Sequence, residues 1–232
     1  MYILAIDTAT NCGGAALSLD REVIGLVISK VSLRYSETIL DMVDFLLVQH
    51  RIDLAKIDCF AVATGPGSFT GVRIGLTTVK SFCQALDKPV VGISSLEALA
   101  HRFGQSGSPI APMMDAGRQQ IYGAFFKMEG SSIHPQQEAQ VLAPEEWLKG
   151  LPAGGCLIAG DGAGLYRDTI SKVKPDAQVL ETDNQIVDQL CPLAFQRFQQ
   201  GSSITAHQLK ATYVRPPDVR KKKAEDRRQE TE

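Results

Sequence analysis

Three runs of strand length open the chain, Tyr2–Ile6, Gly13–Leu19 and Glu22–Ser29, each rich in apolar residues and bounded by turn formers. Thr/Asn/Gly and Asp20-Arg21 turns separate them, so they predict three consecutive strands folded as an antiparallel meander. The period then changes. Ser36 can cap a helix that runs to about His50, Cys59–Ala63 reads as a buried strand, Gly71–Leu86 returns to helical spacing, and Pro89–Ile93 predicts another strand. Ser94 or Ser95 can cap a helix through Leu96, Leu99 and Ala100.

A Gly/Ser/Pro stretch at 104–109 introduces a second unit. Ile110–Met114 and Ile121–Met128 predict strands, Pro144–Lys149 a helix, Cys156–Ala159 a strand, Gly164–Val173 a helix, Val179–Glu181 a strand and Val187–Gln199 a helix. Both halves lead with strands and then alternate helix with strand, although no repeat is visible in the residues themselves. This order predicts an α/β fold of two similar βββαβα lobes facing a cleft, the actin-like ATPase (ribonuclease H-like) arrangement. Residues 1–103 would form the first lobe and 104–214 the second, its last helices able to pack back on the first. Residues 215–232 would form a charged tail.

Drawn at 100° per residue, the first helix gathers Ile39, Leu40, Met42, Val43, Leu46 and Leu47 on the arc that covers its sheet. Phe45 and Val48 fall outside it, beside Asp41 and Asp44. The second helix puts Val72, Leu76, Val79, Phe82, Cys83 and Leu86 inward, while Ile74, Thr78, Ser81 and Ala85 form a second face of mostly small residues. Small side chains permit close helix packing and Phe45 is an aromatic anchor of the kind partner surfaces favour, so these two faces predict a helix-bundle docking surface.

Between strand and second helix lies Gly65-Pro66-Gly67-Ser68-Phe69-Thr70-Gly71-Val72-Arg73-Ile74-Gly75. A glycine-dense turn at a helix start exposes backbone N–H groups that suit a phosphate or a closely approaching backbone. Thr70 stands where a dinucleotide fingerprint needs its third glycine, no G-K-[ST] follows, and Ser68 lacks the flanking glycine of a nucleophile elbow. Gly65, Gly67, Ser68, Thr70 and Gly71 are therefore either structural or phosphate-like.

Catalytic chemistry is sparse elsewhere. His50, His101, His134 and His207 show no metal-ligand spacing, so neither a metal site nor a cofactor is expected. Asp7 and Asp115 follow the first strand of each half, where ATP-using enzymes of two-lobed folds place carboxylates. The Asp7 turn lacks the glycine that admits a phosphate, and Arg118 can pair with Asp115, so these three residues mark at most a vestigial cleft. Five cysteines without C-x-x-C spacing, no basic leader and no apolar run of ~18 residues predict a cytoplasmic protein that does not span a membrane. The formal net charge of −2 hides a tail of seven Lys/Arg and five Asp/Glu at 215–232, leaving −4 for residues 1–214.

The chain resembles the TsaB (YeaZ) family of bacterial tRNA threonylcarbamoyladenosine biosynthesis proteins. The resemblance rests on Ile3-Leu4-Ala5-Ile6-Asp7-Thr8-Ala9-Thr10, the 65–75 glycine motif and Gly92-Ile93-Ser94-Ser95-Leu96-Glu97-Ala98-Leu99-Ala100. It extends more weakly through Asp115-Ala116 to Tyr122, Gly160-Asp161-Gly162-Ala163 and Tyr213-Val214-Arg215-Pro216. It implies a non-catalytic scaffold that pairs with the paralogue TsaD, which holds the metal and performs the transfer, and with the ATPase TsaE. It implies contact with tRNA only through that complex, and docking through the helices of the first lobe. An apolar helix face without its partner also predicts homodimers. Two departures stand out: Tyr35-Ser36-Glu37 where the family has His-Ser-Glu, and Asp115-Ala116-Gly117-Arg118-Gln119-Gln120 where it has Asp-Ala-Arg-Arg and an acidic residue. An ATP-binding enzyme or small-molecule kinase on the same fold, and a glycoprotease-like peptidase, are the competing classes.

Overall fold

The computed structural model describes residues 1–30, 34–129 and 132–214. The charged segment 215–232 lies outside the described residues. The leading meander is present as β1 (Tyr2–Asp7), β2 (Gly14–Leu19) and β3 (Glu22–Ile28), paired antiparallel with Ala5 opposite Ala16. After α1 (Tyr35–His50), β4 (Cys59–Gly65) inserts parallel to β1; after α2 (Phe69–Leu86), β5 (Val90–Ser94) adds parallel to β4. The sheet order is β3-β2-β1-β4-β5. A parallel neighbour requires a crossover, and α1 and α2 supply the two.

The second half repeats this plan. Following α3 (Ser95–Arg102), β6 (Ile110–Asp115), β7 (Ile121–Glu129) and β8 (Ser132–Leu142) form the meander. After α4 (Pro144–Lys149) come β9 (Leu157–Gly160), α5 (Asp161–Leu165), α6 (Arg167–Val173), β10 (Gln178–Glu181) and α7 (Val187–Gln199). The order β10-β9-β6-β7-β8 is that of the first sheet read from the other edge. The duplicated two-lobed α/β fold expected from element order is therefore present, with a duplication visible in topology that the residues do not display.

Helices are exchanged between the halves. α7 lies across β1, β2, β4 and β5 of the first sheet, while α3 packs chiefly on β6, β7 and β8 of the second. The two touch each other, and Arg197 of α7 grips Glu97 of α3 through a forked pair of hydrogen bonds at 2.6 and 2.7 Å while donating to the Gly92 carbonyl at 2.8 Å. Strand alternation divides the second sheet accordingly. Ile110 and Met114 join the core continuous with the first lobe; Ala111 and Met113 face a smaller core around Trp147 and Ile170.

Local corrections follow. Ser36 is not a cap: α1 begins at Tyr35, and Arg34 occupies the capping position without a side-chain bond. Ser94 precedes α3 but likewise makes no side-chain cap, and the Ser95 hydroxyl is buried without a partner. The helix expected over 164–173 is two, broken at Tyr166. Leu40, assigned to the inward arc of α1, is 56% exposed.

Candidate functional site

Two surfaces converge on the first lobe. The cleft between the lobes encloses about 830 Å³ and is lined by the β1–β2 loop (Thr8, Asn11), the glycine turn (Gly67, Ser68, Thr70, Gly71), Tyr35, and Asp115, Asp161 and Asn184 opposite. Its floor is where a phosphate would be held, but the turn there is already filled. Ser68 N donates to the Ala9 carbonyl at 2.8 Å, the Ser68 hydroxyl caps α2 by accepting from Gly71 N at 3.2 Å, and Thr8 Oγ1 donates to the Gly71 carbonyl at 2.6 Å. A Cβ on Gly67 would meet the Ala9 oxygen at 2.3 Å, and one on Gly71 the Thr8 oxygen at 1.9 Å. These two glycines admit the chain's own backbone. Gly65 starts the turn at φ +100°, which only glycine adopts without strain.

Asp7 does not line the cleft. It is fully buried, its oxygens accepting from Ala9 N at 2.8 Å and from the Thr10 hydroxyl at 2.5 Å. Burial pushes its carboxyl up to about 6, against these hydrogen bonds, which pull the other way. Asp115 is exposed at the end of β6, where Oδ1 accepts from Gly117 N at 3.0 Å and closes its own turn. Arg118 sits exposed in that turn at φ +57°. Of the three residues expected to mark a vestigial cleft, Asp115 lines the inter-lobe space and Asp7 is buried. Among the described residues no three His, Cys, Asp or Glu side chains converge as a metal-ligand set would.

Tyr35 has a role that sequence reasoning missed. Its hydroxyl accepts from Gly13 N at 2.8 Å and donates to the Thr10 carbonyl at 3.3 Å, tying α1 to the β1–β2 loop. A phenol reaches two backbone groups that no local pattern links to position 35.

The second surface lies on the outer layer made by α1 and α2, opposite α7 across the first sheet. Ile39, Met42, Val43, Leu46 and Leu47 are buried, whereas Leu40, Phe45 and Val48 are 56, 54 and 61% exposed beside exposed Asp41 and Asp44. The left-handed cap at Arg51, whose N–H reaches the Val48 carbonyl, turns the chain so that Ile52 and Leu54 approach Phe82 of α2. Leu40, Leu47, Val48, Leu54 and Phe82 then wall an open groove of about 530 Å³. On α2, Ile74 and Thr78 are half-buried and Ser81 and Ala85 exposed, so the small-residue face points outward. No helix among the described residues is long and apolar enough to cross a membrane.

Comparison with known proteins agrees with this architecture. The family model described as TsaD, tRNA N6-adenosine threonylcarbamoyltransferase, matches residues 18–217. The tRNA threonylcarbamoyladenosine biosynthesis protein TsaB of Bacillus subtilis (strain 168) is 34% identical over 178 residues, 75% of this chain and 76% of that protein. Its Escherichia coli (strain K12) counterpart, with the same description, is 28% identical over 228 residues, 93% of this chain and 95% of that protein. The solved structure of YeaZ from Pseudomonas aeruginosa superposes with a TM-score of 0.80 at 27% identity, covering 91% of this chain and 99% of that one. The chain belongs to the TsaD threonylcarbamoyltransferase family as that model defines it and, within it, to the TsaB (YeaZ) family of tRNA threonylcarbamoyladenosine biosynthesis proteins.

Proposed function

We propose that this chain is a non-catalytic scaffold that binds and activates a TsaD-type transferase for threonylcarbamoyladenosine formation in tRNA, through the outward faces of α1 and α2. The observation that carries this reading is the exposure of Leu40, Phe45 and Val48, three large apolar side chains on one helix, two of which, Leu40 and Val48, border the groove. Water contact with such a row is unfavourable by roughly 25 cal/mol per Å², and a partner helix would relieve it. Two further features support the assignment: backbone fills the glycine turn that would hold phosphate, and the Asp7 oxygens are used internally. TsaE and tRNA would join through the complex, with no cofactor held by this chain.

The test is Phe45→Asp. The side chain is half exposed in the monomer, so the fold should survive, while a carboxylate buried at an aromatic anchor should weaken pairing with TsaD by about 100-fold or more, some 2.7 kcal/mol. Co-purification and transfer assays with reconstituted TsaD and TsaE read this out. Undiminished pairing would mean that the docking face lies elsewhere. A nucleotide-binding enzyme is the competing reading, carried by the 830 Å³ inter-lobe cleft. Calorimetric titration of the isolated chain with Mg-ATP separates the two, because micromolar binding with turnover would favour the enzyme.

A further inference from the structure

No Asp or Glu occurs from Cys59 to Leu86 or from Gln189 to Pro217, in a protein whose residues 1–214 carry a net charge of −4. The fold brings these two acid-free segments together. Beyond α7 the chain bridges Val90 at Ile204, and Thr212 N then donates to the Thr64 carbonyl at 2.8 Å, with the two threonine hydroxyls 3.1 Å apart. Tyr213 is thereby set against Phe69 at the start of α2, ring centroids 5.5 Å apart. The Arg73 guanidinium lies 3.8 Å above the Phe69 ring centre, and its Nε donates to the Tyr213 hydroxyl at 3.3 Å. Phe69 and Tyr213 remain 41 and 47% exposed, and Arg73 is exposed as well.

We propose that Phe69, Arg73 and Tyr213 form a platform for single-stranded RNA, with a loop base stacking on the Tyr213 ring, which Phe69 and Arg73 hold in place, and Arg73 meeting phosphate. Unstacked bases bind aromatic faces with little regard to sequence, whereas a duplex keeps its bases stacked on one another. Arg73, exposed on a segment without Asp or Glu, suits a phosphate of the chain. The platform is preorganised, because the backbone and hydroxyl contacts of Thr212 with Thr64 and the Arg73 contacts hold both rings before any ligand arrives. On α2, Phe69 and Arg73 lie about a quarter to half a turn from Ile74 and Thr78, so the platform flanks the proposed docking face and leaves it free. The choice of an anticodon loop as ligand rests on the function proposed above.

The experiment titrates a fluorescein-labelled anticodon stem-loop, and a blunt RNA duplex of equal length, with the full chain alone and with its TsaD complex. The stem-loop should bind at least tenfold tighter than the duplex. Tyr213→Ala should weaken stem-loop binding about tenfold, and Tyr213→Phe, which keeps the ring, should restore it. Arg73→Gln should lower the slope of log K against log salt by about 0.7, one phosphate contact. Equal affinity for stem-loop and duplex, a neutral Tyr213→Ala, or tighter binding of labelled poly-glutamate than of RNA would each overturn the proposal. Copurification of Tyr213→Ala with TsaD at wild-type yield, alongside lost RNA binding, marks the platform as distinct from the docking face. Loss of TsaD pairing by Phe45→Asp with RNA binding intact tests the other reading separately.

Discussion

Replacing Gly71 by alanine asks directly whether the glycine turn is packed against its own chain. The new Cβ would lie 1.9 Å from the Thr8 carbonyl oxygen, more than 1 Å inside the 3.0 Å that real Cβ contacts respect, and the obstacle is backbone. Either α2 tilts away or the β1–β2 loop retreats. Both routes stretch the Thr8 Oγ1 to Gly71 carbonyl bond of 2.6 Å and the Ser68 N to Ala9 carbonyl bond of 2.8 Å, each with a net contribution of about 1 kcal/mol. Overpacking adds about 1–3 kcal/mol, and the higher helix propensity of alanine returns about 1 kcal/mol. The net loss is about 2–4 kcal/mol. In a chain of this length that corresponds to a fall in Tm of about 5–10 °C, measurable by calorimetry and by the urea midpoint. An open phosphate cradle would respond oppositely, gaining about 0.5–1 kcal/mol from the same Gly-to-Ala change in a helix. A Gly71→Ala protein as stable as wild type would refute the packing argument.

Other consequences are testable together. The folded-state pKa of Asp7, about 6, lies above the ordinary 3.8, so the unfolded chain gives up its proton first as pH rises. Stability from this group is therefore complete below pH 4 and lost between pH 4 and 6, by roughly 3 kcal/mol. Asp7→Asn should remove that loss, so that urea midpoints of mutant and wild type diverge in the mutant's favour from pH 4 to 7; parallel curves would contradict the burial argument. The reverse sign applies to Asp183, which the Lys30 hydrogen bond, helped by Arg102, holds down at about 2. Its contribution is present above pH 4 and lost as pH falls towards 2, so Asp183→Asn should flatten the acid limb of the stability curve over that interval and leave the neutral limb parallel to wild type. Light scattering should give a dimeric mass for the isolated chain and a heterodimer once TsaD is added; a monomer at all concentrations would argue against a free apolar face.

Where periodicity was strong, the sequence carried the fold: Pro144–Lys149 and Val187–Gln199 are helices over the expected ranges. The third strand of the second meander was not legible. Ser132–Leu142 carries His134, Pro135, Gln136, Gln137 and Glu138 with no apolar alternation. It is an edge strand, where one side of the ladder faces away from the sheet and Pro135 costs no central hydrogen bond. Leu40 was misplaced because it sits at the rim of the apolar arc, where a few degrees decide between core and groove. The exposed Phe45 and Val48 were readable from angle alone. The fate of the glycine turn was not, since it depends on Thr8 reaching across 63 positions to Gly71, and that of Asp7 was not because its burial depends on the packing of the whole sheet although its partners Ala9 and Thr10 are local. The part played by Tyr35 is not legible, because hydrogen bonds to Gly13 and Thr10 leave no mark on local composition.

The exchange of α3 and α7 between the two sheets has a consequence for biosynthesis. During translation the five strands of the first sheet emerge with one broad face bare, because the helix that seals it starts only at Val187. Nascent chains must carry that greasy surface for roughly a hundred codons, which makes this stretch of synthesis the interval of greatest dependence on chaperones. Splitting the gene between the halves would leave each fragment missing its lid, and only coexpression could give back a native particle.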